Sequence, residues 1–130
     1  MANAIDSRRA RAFILTENAL EAMDIAEFLQ SKGVDRIGMA TTVSAATALV
    51  IQAASPPALV MFGFPLSGSE ARDCLAAIRY MGWPTIVVNG HSVDPASEGL
   101  PILARPFSTA DLDHALRSVR GLAEDTPAPS

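Results

Sequence analysis

Pro56-Pro57-Ala58-Leu59-Val60-Met61-Phe62-Gly63-Phe64-Pro65-Leu66-Ser67-Gly68 is the stretch that decides the fold. Its apolar core, Ala58 to Phe62, is too short for a helix and is bounded upstream by two prolines. An apolar run of that length without polar alternation reads as a strand buried on both faces, as in the middle of a parallel sheet. Gly63, Pro65 and Gly68 then break it into a loop, and helical spacing resumes near Ser69. In an open α/β sheet, ligands and chemistry sit at the carboxyl end of such a strand. Here that place holds Gly63 and Phe64, which offer no acid, base or nucleophile.

Upstream, Ala12-Phe13-Ile14-Leu15 is a short apolar run that stops at Thr16-Glu17-Asn18, with Asn18 suited to cap a helix. Residues 19–32 have helical spacing: Ala22, Ile25, Ala26 and Leu29 form one stripe, and Glu21, Asp24, Glu27 and Gln30 lie largely off it. Gly33 stands at the usual C-terminal position of such a helix. Residues 34–40 are a weaker strand, interrupted by Asp35 and Arg36. Thr42 or Ser44 caps the next helix, which runs to about Ala54 with a thin polar face.

Downstream, residues 70–81 predict a helix with Ala71, Cys74, Leu75 and Ile78 inward. Gly82-Trp83-Pro84 turns the chain into Thr85-Ile86-Val87-Val88, a β-branched strand ending at Asn89-Gly90. Residues 91–99 have a poor pattern and leave room for one short or irregular helix at most. Residues 100–104 are a fifth strand, closed by Arg105-Pro106-Phe107. Ser108 and Asp111 make a capping box for a last helix with Leu112, Ala115, Leu116 and Val119 inward. The expected fold class is α/β: strand and helix alternate five times, giving a doubly wound parallel five-stranded sheet in the order 2-1-3-4-5. Residues 1–10 read as an N-terminal arm, 11–121 as the domain and 122–130 as a frayed tail.

The 130 residues suffice for one domain with a core, and an apolar fraction of 49% argues for a globule. No apolar run reaches the length of a membrane helix, and the first residues lack the apolar segment of a secretory signal. A single cysteine, Cys74, permits no internal disulfide and fits a reducing cytoplasm. The net charge of −4 leaves no electrostatic footprint for nucleic acid or an anionic membrane. Arg8, Arg9 and Arg11 read as a solvated arm before the first strand, and His91 and His114 as loop and surface residues. Cys74 reads as core, and Ser67 and Ser69 have no base to activate them.

Three stretches, Glu17-Asn18-Ala19-Leu20-Glu21-Ala22-Met23-Asp24-Ile25, Ala40-Thr41-Thr42-Val43-Ser44-Ala45-Ala46-Thr47-Ala48-Leu49 and Leu103-Ala104-Arg105-Pro106-Phe107, follow one another at a spacing that resembles the receiver domains of response regulators. The resemblance covers roughly residues 11–120 and implies the CheY-like fold. A working member takes a phosphoryl group on an aspartate ending the third strand and holds Mg²⁺ with two acids after the first. A hydroxyl residue ending the fourth strand and a lysine ending the fifth bind the phosphoryl oxygens. In this chain those positions carry Gly63 for the acceptor, Thr16 and Glu17 for the acids, Asn89 for the hydroxyl and Arg105 for the lysine. Ile102 stands where the family often has a switch aromatic, and the Arg105–Pro106 bond stands where it commonly has a cis peptide.

The resemblance thus implies a pseudo-receiver without the phosphoacceptor, with no metal and no cofactor. It would be a non-enzymatic signalling module, monomer or weak homodimer, acting on a histidine kinase, a phosphotransfer protein or another regulator. Contacts are expected on the first or last helix, at Met23, Phe28, Arg117 and Arg120, with Phe28 equally suited to the core. Glu17 and Arg105 either form an ion pair in place of the metal and the lysine or are separately solvated, two readings the sequence weighs equally. The alternatives are an anion- or nucleotide-binding regulatory domain using Thr16, Asn89, Arg105 and the Gly63-Phe64 backbone, or a receiver fragment of a larger hybrid kinase or regulator.

Overall fold

In the computed structural model, which describes residues 11–88, 97 and 99–119, the strand Leu59–Phe62 is completely buried at the centre of the molecule. In chain order the elements are β1 (Arg11–Leu15), α1 (Ala19–Ser31), β2 (Arg36–Ala40), α2 (Val43–Gln52), β3 (Leu59–Phe62), α3 (Ser69–Tyr80), β4 (Thr85–Val88), β5 (Ile102–Leu103) and α4 (Thr109–Arg117). The five strands are parallel and lie in the order β2-β1-β3-β4-β5, as expected. The position expected to hold a short or irregular helix between β4 and β5 lies mostly outside the described residues.

Strand alternation divides the core into two layers. Ala12, Ile14, Leu59, Met61, Ile86 and Val88 face α1 and α4, where Ile25, Leu29, Leu112 and Leu116 cover them. Phe13, Leu15, Val60, Phe62 and Val87 face α2 and α3, where Ala46, Val50, Leu75 and Ile78 cover them. Both faces of β3 are therefore occupied, which is why its sequence shows no polar alternation.

The helix ends follow the sequence signals. Asn18 accepts from the Glu21 N–H at 3.1 Å and Thr42 from the Ala45 N–H at 3.1 Å, so Thr42, and not Ser44, caps α2. Ser108 and Asp111 form the reciprocal capping box at the start of α4. After α1, Gly33 takes φ +95°, with Gly33 N–H to Gln30 O at 3.1 Å and Val34 N–H to Leu29 O at 3.0 Å, a Schellman closure.

Some boundaries differ. β2 starts at Arg36, two residues later than expected, although Val34 is buried against the α1 side. β5 shrinks to Ile102–Leu103, because it is an edge strand paired only with β4 and needs few ladder bonds. Arg11 belongs to β1 and not to a solvated arm: its guanidinium donates to the Ser55 carbonyl at 2.9 Å and lies 5.4 Å from the Phe13 ring centre. Arg8 and Arg9 lie outside the described residues. Among the described residues, no helix is long and apolar enough to cross a membrane.

Candidate functional site

Parallel strands deliver their carboxyl ends to one edge of the sheet, and there the chain brings together Thr16, Gly63 and Arg105. Thr16 follows β1, Gly63 follows β3, and Arg105 lies two residues past β5, before a cis bond to Pro106. Ladder geometry continues past the strands and fixes the first two: Thr16 N–H donates to Ala40 O at 3.1 Å and Gly63 N–H to Leu15 O at 2.7 Å.

Arg105 reaches across this edge to the first turn of α1. Its Nε donates to Glu21 Oε2 at 2.7 Å and its Nη2 to Glu21 Oε1 at 2.9 Å, a two-point carboxylate contact. The same Nη2 donates to the Gly63 carbonyl at 3.3 Å. Thr16 Oγ1 donates to Glu21 Oε1 at 3.0 Å and accepts from the Asn18 N–H at 3.3 Å. Thr16 is fully buried and the Glu21 side chain is only 9% exposed, against 36% for Arg105.

The partner of Arg105 is therefore Glu21, and of the two readings of Glu17 the ion pair with Arg105 does not form. Glu17 precedes the helix cap and stands exposed, adding only a distant charge to Arg105. Glu21 is the third residue of α1, where a capping-box acid would turn back to the Asn18 N–H. That N–H is satisfied by Thr16 instead, which leaves the carboxylate for Arg105.

Burial pushes the Glu21 carboxyl up, but hydrogen bonds from Arg105 and Thr16, with the charge of Arg105, outweigh it and hold it below its ordinary value. The Glu21 hydrogen bond raises Arg105 in turn, against a smaller opposing effect of burial. The site is an internally neutralised pair locked to a backbone carbonyl.

Gly63 matters here for space. A Cβ at that position would lie 3.1 Å from both Thr16 Cβ and Thr16 Oγ1, and 3.2 Å from the terminal nitrogen of Arg105. Nor do these residues fit a Mg²⁺ site. Among the described residues, the inward carboxylate of Glu21 is spent on a permanent cation, and no group of three or more His, Cys, Asp or Glu converges.

Asn89 and Arg120 lie outside the described residues, as does His91. Met23 is 59% exposed on α1, beside Leu20 at 73%. Phe28 is half-buried against the α1–α4 core layer, with the Lys32 ammonium 5.3 Å from its ring centre. Arg117 is exposed but tied to Asp113 at 3.0 Å, and Asp113 also binds Lys32 at 3.2 Å. His114 is a surface residue and Cys74 a core one. Burial pushes the Cys74 thiol up, against a hydrogen bond with Thr47. Sequence reasoning missed Glu21, reading it only as a polar residue off the apolar stripe of the first helix; the signal available was an acid three residues after the Asn18 cap, which marks a first-turn position but not its partner.

No protein-family model and no curated protein sequence matches the chain. Solved structures do match. A two-component response regulator from Clostridium difficile superposes with a TM-score of 0.71 at 16% identity, over 91% of this chain and 99% of that one. A CheY-like response regulator receiver domain protein from Methanospirillum hungatei gives 0.70 at 20% identity, over 88% and 94%. The chemotaxis protein CheY4 from Vibrio cholerae gives 0.67 at 16% identity, over 85% and 98%. At these identities the likeness is one of fold: the chain has the CheY-like, doubly wound α/β architecture.

Proposed function

We propose that this chain is a signalling module on a receiver scaffold that takes no phosphoryl group at the end of β3 and acts by protein contact. The observation that carries this reading is the edge formed by Thr16, Glu21, Gly63 and Arg105. The acceptor position is a glycine, and the space a side chain would need is bounded by Thr16 and Arg105. Arg105 is already neutralised by Glu21, so it offers an incoming phosphoryl group little unspent charge. The names of the similar structures, response regulators and a chemotaxis protein, support placing the module in two-component signalling.

Its partner on this reading is a histidine kinase, a phosphotransfer protein or another regulator, met on the α1–α4 side. There Met23 and Leu20 stand out from α1, and a shallow groove of about 310 Å³ runs between Phe28, Phe107 and Leu112, flanked by Asp24 and Glu27. Phe28 and Arg117 contribute less than their residue types suggest, since one is largely packed inward and the other held by Asp113. Met23 and Leu20 carry the contact. No catalysis is assigned to the chain.

Incubation with acetyl phosphate and Mg²⁺ followed by intact mass measurement tests the proposal. The mass is expected to stay unchanged, and to stay unchanged in Gly63→Asp, whose carboxylate competes with Glu21 for Arg105. A base-labile gain of one phosphoryl group on the unaltered chain would overturn it.

A further inference from the structure

On the opposite side of the sheet, α2 is unlike the other helices. Its ten residues, Val43–Gln52, contain no charged side chain. Ile51 is 74% exposed, and Ala45 and Ala48 are exposed beside it. Between α2 and α3 runs a groove of about 420 Å³, walled by Val43, Val50, Ile51 and Ala77 with Cys74 in its floor. Two carboxylates, Glu70 and Asp73, stand on its α3 rim, and no Lys or Arg among the described residues lines it. They lie three residues apart on one helical face, and neither is paired with a cation among the described residues.

We infer that this groove docks an amphipathic, cationic helix of another protein, whose apolar face enters between α2 and α3 while Lys or Arg side chains meet Glu70 and Asp73. The apolar walls need a partner with apolar side chains at helical spacing, and the volume admits roughly two or three of them. The acidic rim sets the sign of the partner's charge. A two-fold pairing of this face with a second copy would bring both copies' Glu70 and Asp73 into one interface, with no cation among the described residues lining the groove to offset the four carboxylates. An anionic lipid surface is repelled by the same pair. The inference stands apart from the α1–α4 contact proposed above, because the two surfaces lie on opposite faces of the sheet.

The test uses the whole chain and a fluorescein-labelled peptide of about 18 residues, with Leu at i, i+3, i+4 and i+7 and Lys elsewhere. Controls are a scrambled peptide of the same composition and a Leu–Glu version. Saturable binding of the ordered Leu–Lys peptide is expected, with amide shifts concentrated in α2 and α3. Glu70→Lys with Asp73→Lys should weaken it by about tenfold or more and confer binding of the Leu–Glu peptide. Ile51→Ser, at an exposed position, should weaken it by a smaller factor, and circular dichroism checks that each variant folds. The inference is overturned by absence of binding, by shifts on α1 and α4 instead, by equal affinity for the scrambled peptide, or by indifference to charge reversal. It is likewise overturned if the chain alone dimerises through α2 and Ile51→Ser restores the monomer, since a second copy is then the occupant.

Discussion

The two faces of the sheet are held together by different means. On the α1–α4 side, charged side chains span elements: Arg105 joins the end of β5 to α1, and Asp113 of α4 gathers Lys32 and Arg117. On the α2–α3 side, α2 has no charge to contribute, and the helices meet through apolar packing and the Thr47–Cys74 hydrogen bond. The core layers beneath are comparable, so the contrast lies in the outer shell. Charge pairing restricts which geometry is allowed, whereas the uncharged surface of α2 leaves a face that tolerates a newcomer.

The first way to break the comparison is to truncate each layer. Leu75→Ala under α3 and Leu29→Ala under α1 should each cost about 2–5 kcal/mol by urea unfolding, with little dependence on salt. A clear difference between them would show that the layers are not equivalent. Next comes Arg105→Ala, which leaves the mostly buried Glu21 carboxylate with only Thr16. The expected loss is about 1–3 kcal/mol, nearer the lower figure because the guanidinium is itself a third exposed. Arg105→Lys should recover only part of it, since an ammonium cannot make the paired contact.

Acid sharpens the same point. Glu21 is held below its ordinary value in the folded chain, so its contribution is fully present above the unfolded carboxylate pKa, about 4.3, and is lost as pH falls through the lower folded value. Glu21→Gln should therefore flatten the acid limb of stability against pH, and an unchanged limb would deny the pair its role. The smallest effect belongs to Asp113→Asn. Its carboxyl is also held low, chiefly by Arg117 and Lys32, but at the surface, so the unfolding midpoint should barely move and the residual change should vanish in high salt.

Much of the fold was legible because its signals are local. Leu59 to Phe62 could be read as a strand from four neighbours, and Asn18, Gly33, Ser108 and Asp111 act within a few residues of themselves. The edge at Gly63 was half legible. Position along the chain placed Thr16, Gly63 and Arg105 together, because strand ends converge wherever the sheet is parallel. The identity of the cation's partner was not, because Glu17 and Glu21 are both acids near the end of β1. Only the turn of α1 decides which one faces Arg105, 84 residues away. The shortness of β5 was hidden too, since an edge strand ends where pairing ends and not where apolar residues do.

Trp83 is the only tryptophan in the sequence, and its ring meets Phe13 edge-on with centroids 6.0 Å apart. It sits just before β4, at the amino ends of the strands, across the sheet's full length from Gly63. The chain thus carries one indole reporter, packed through Phe13 on the α2–α3 core layer and at the opposite end of the strands from the Arg105 edge. Its emission should follow global unfolding and stay silent through events at the Arg105 edge, while a rearrangement of the α2–α3 layer against which it packs should register, so stability can be read from the protein's own light.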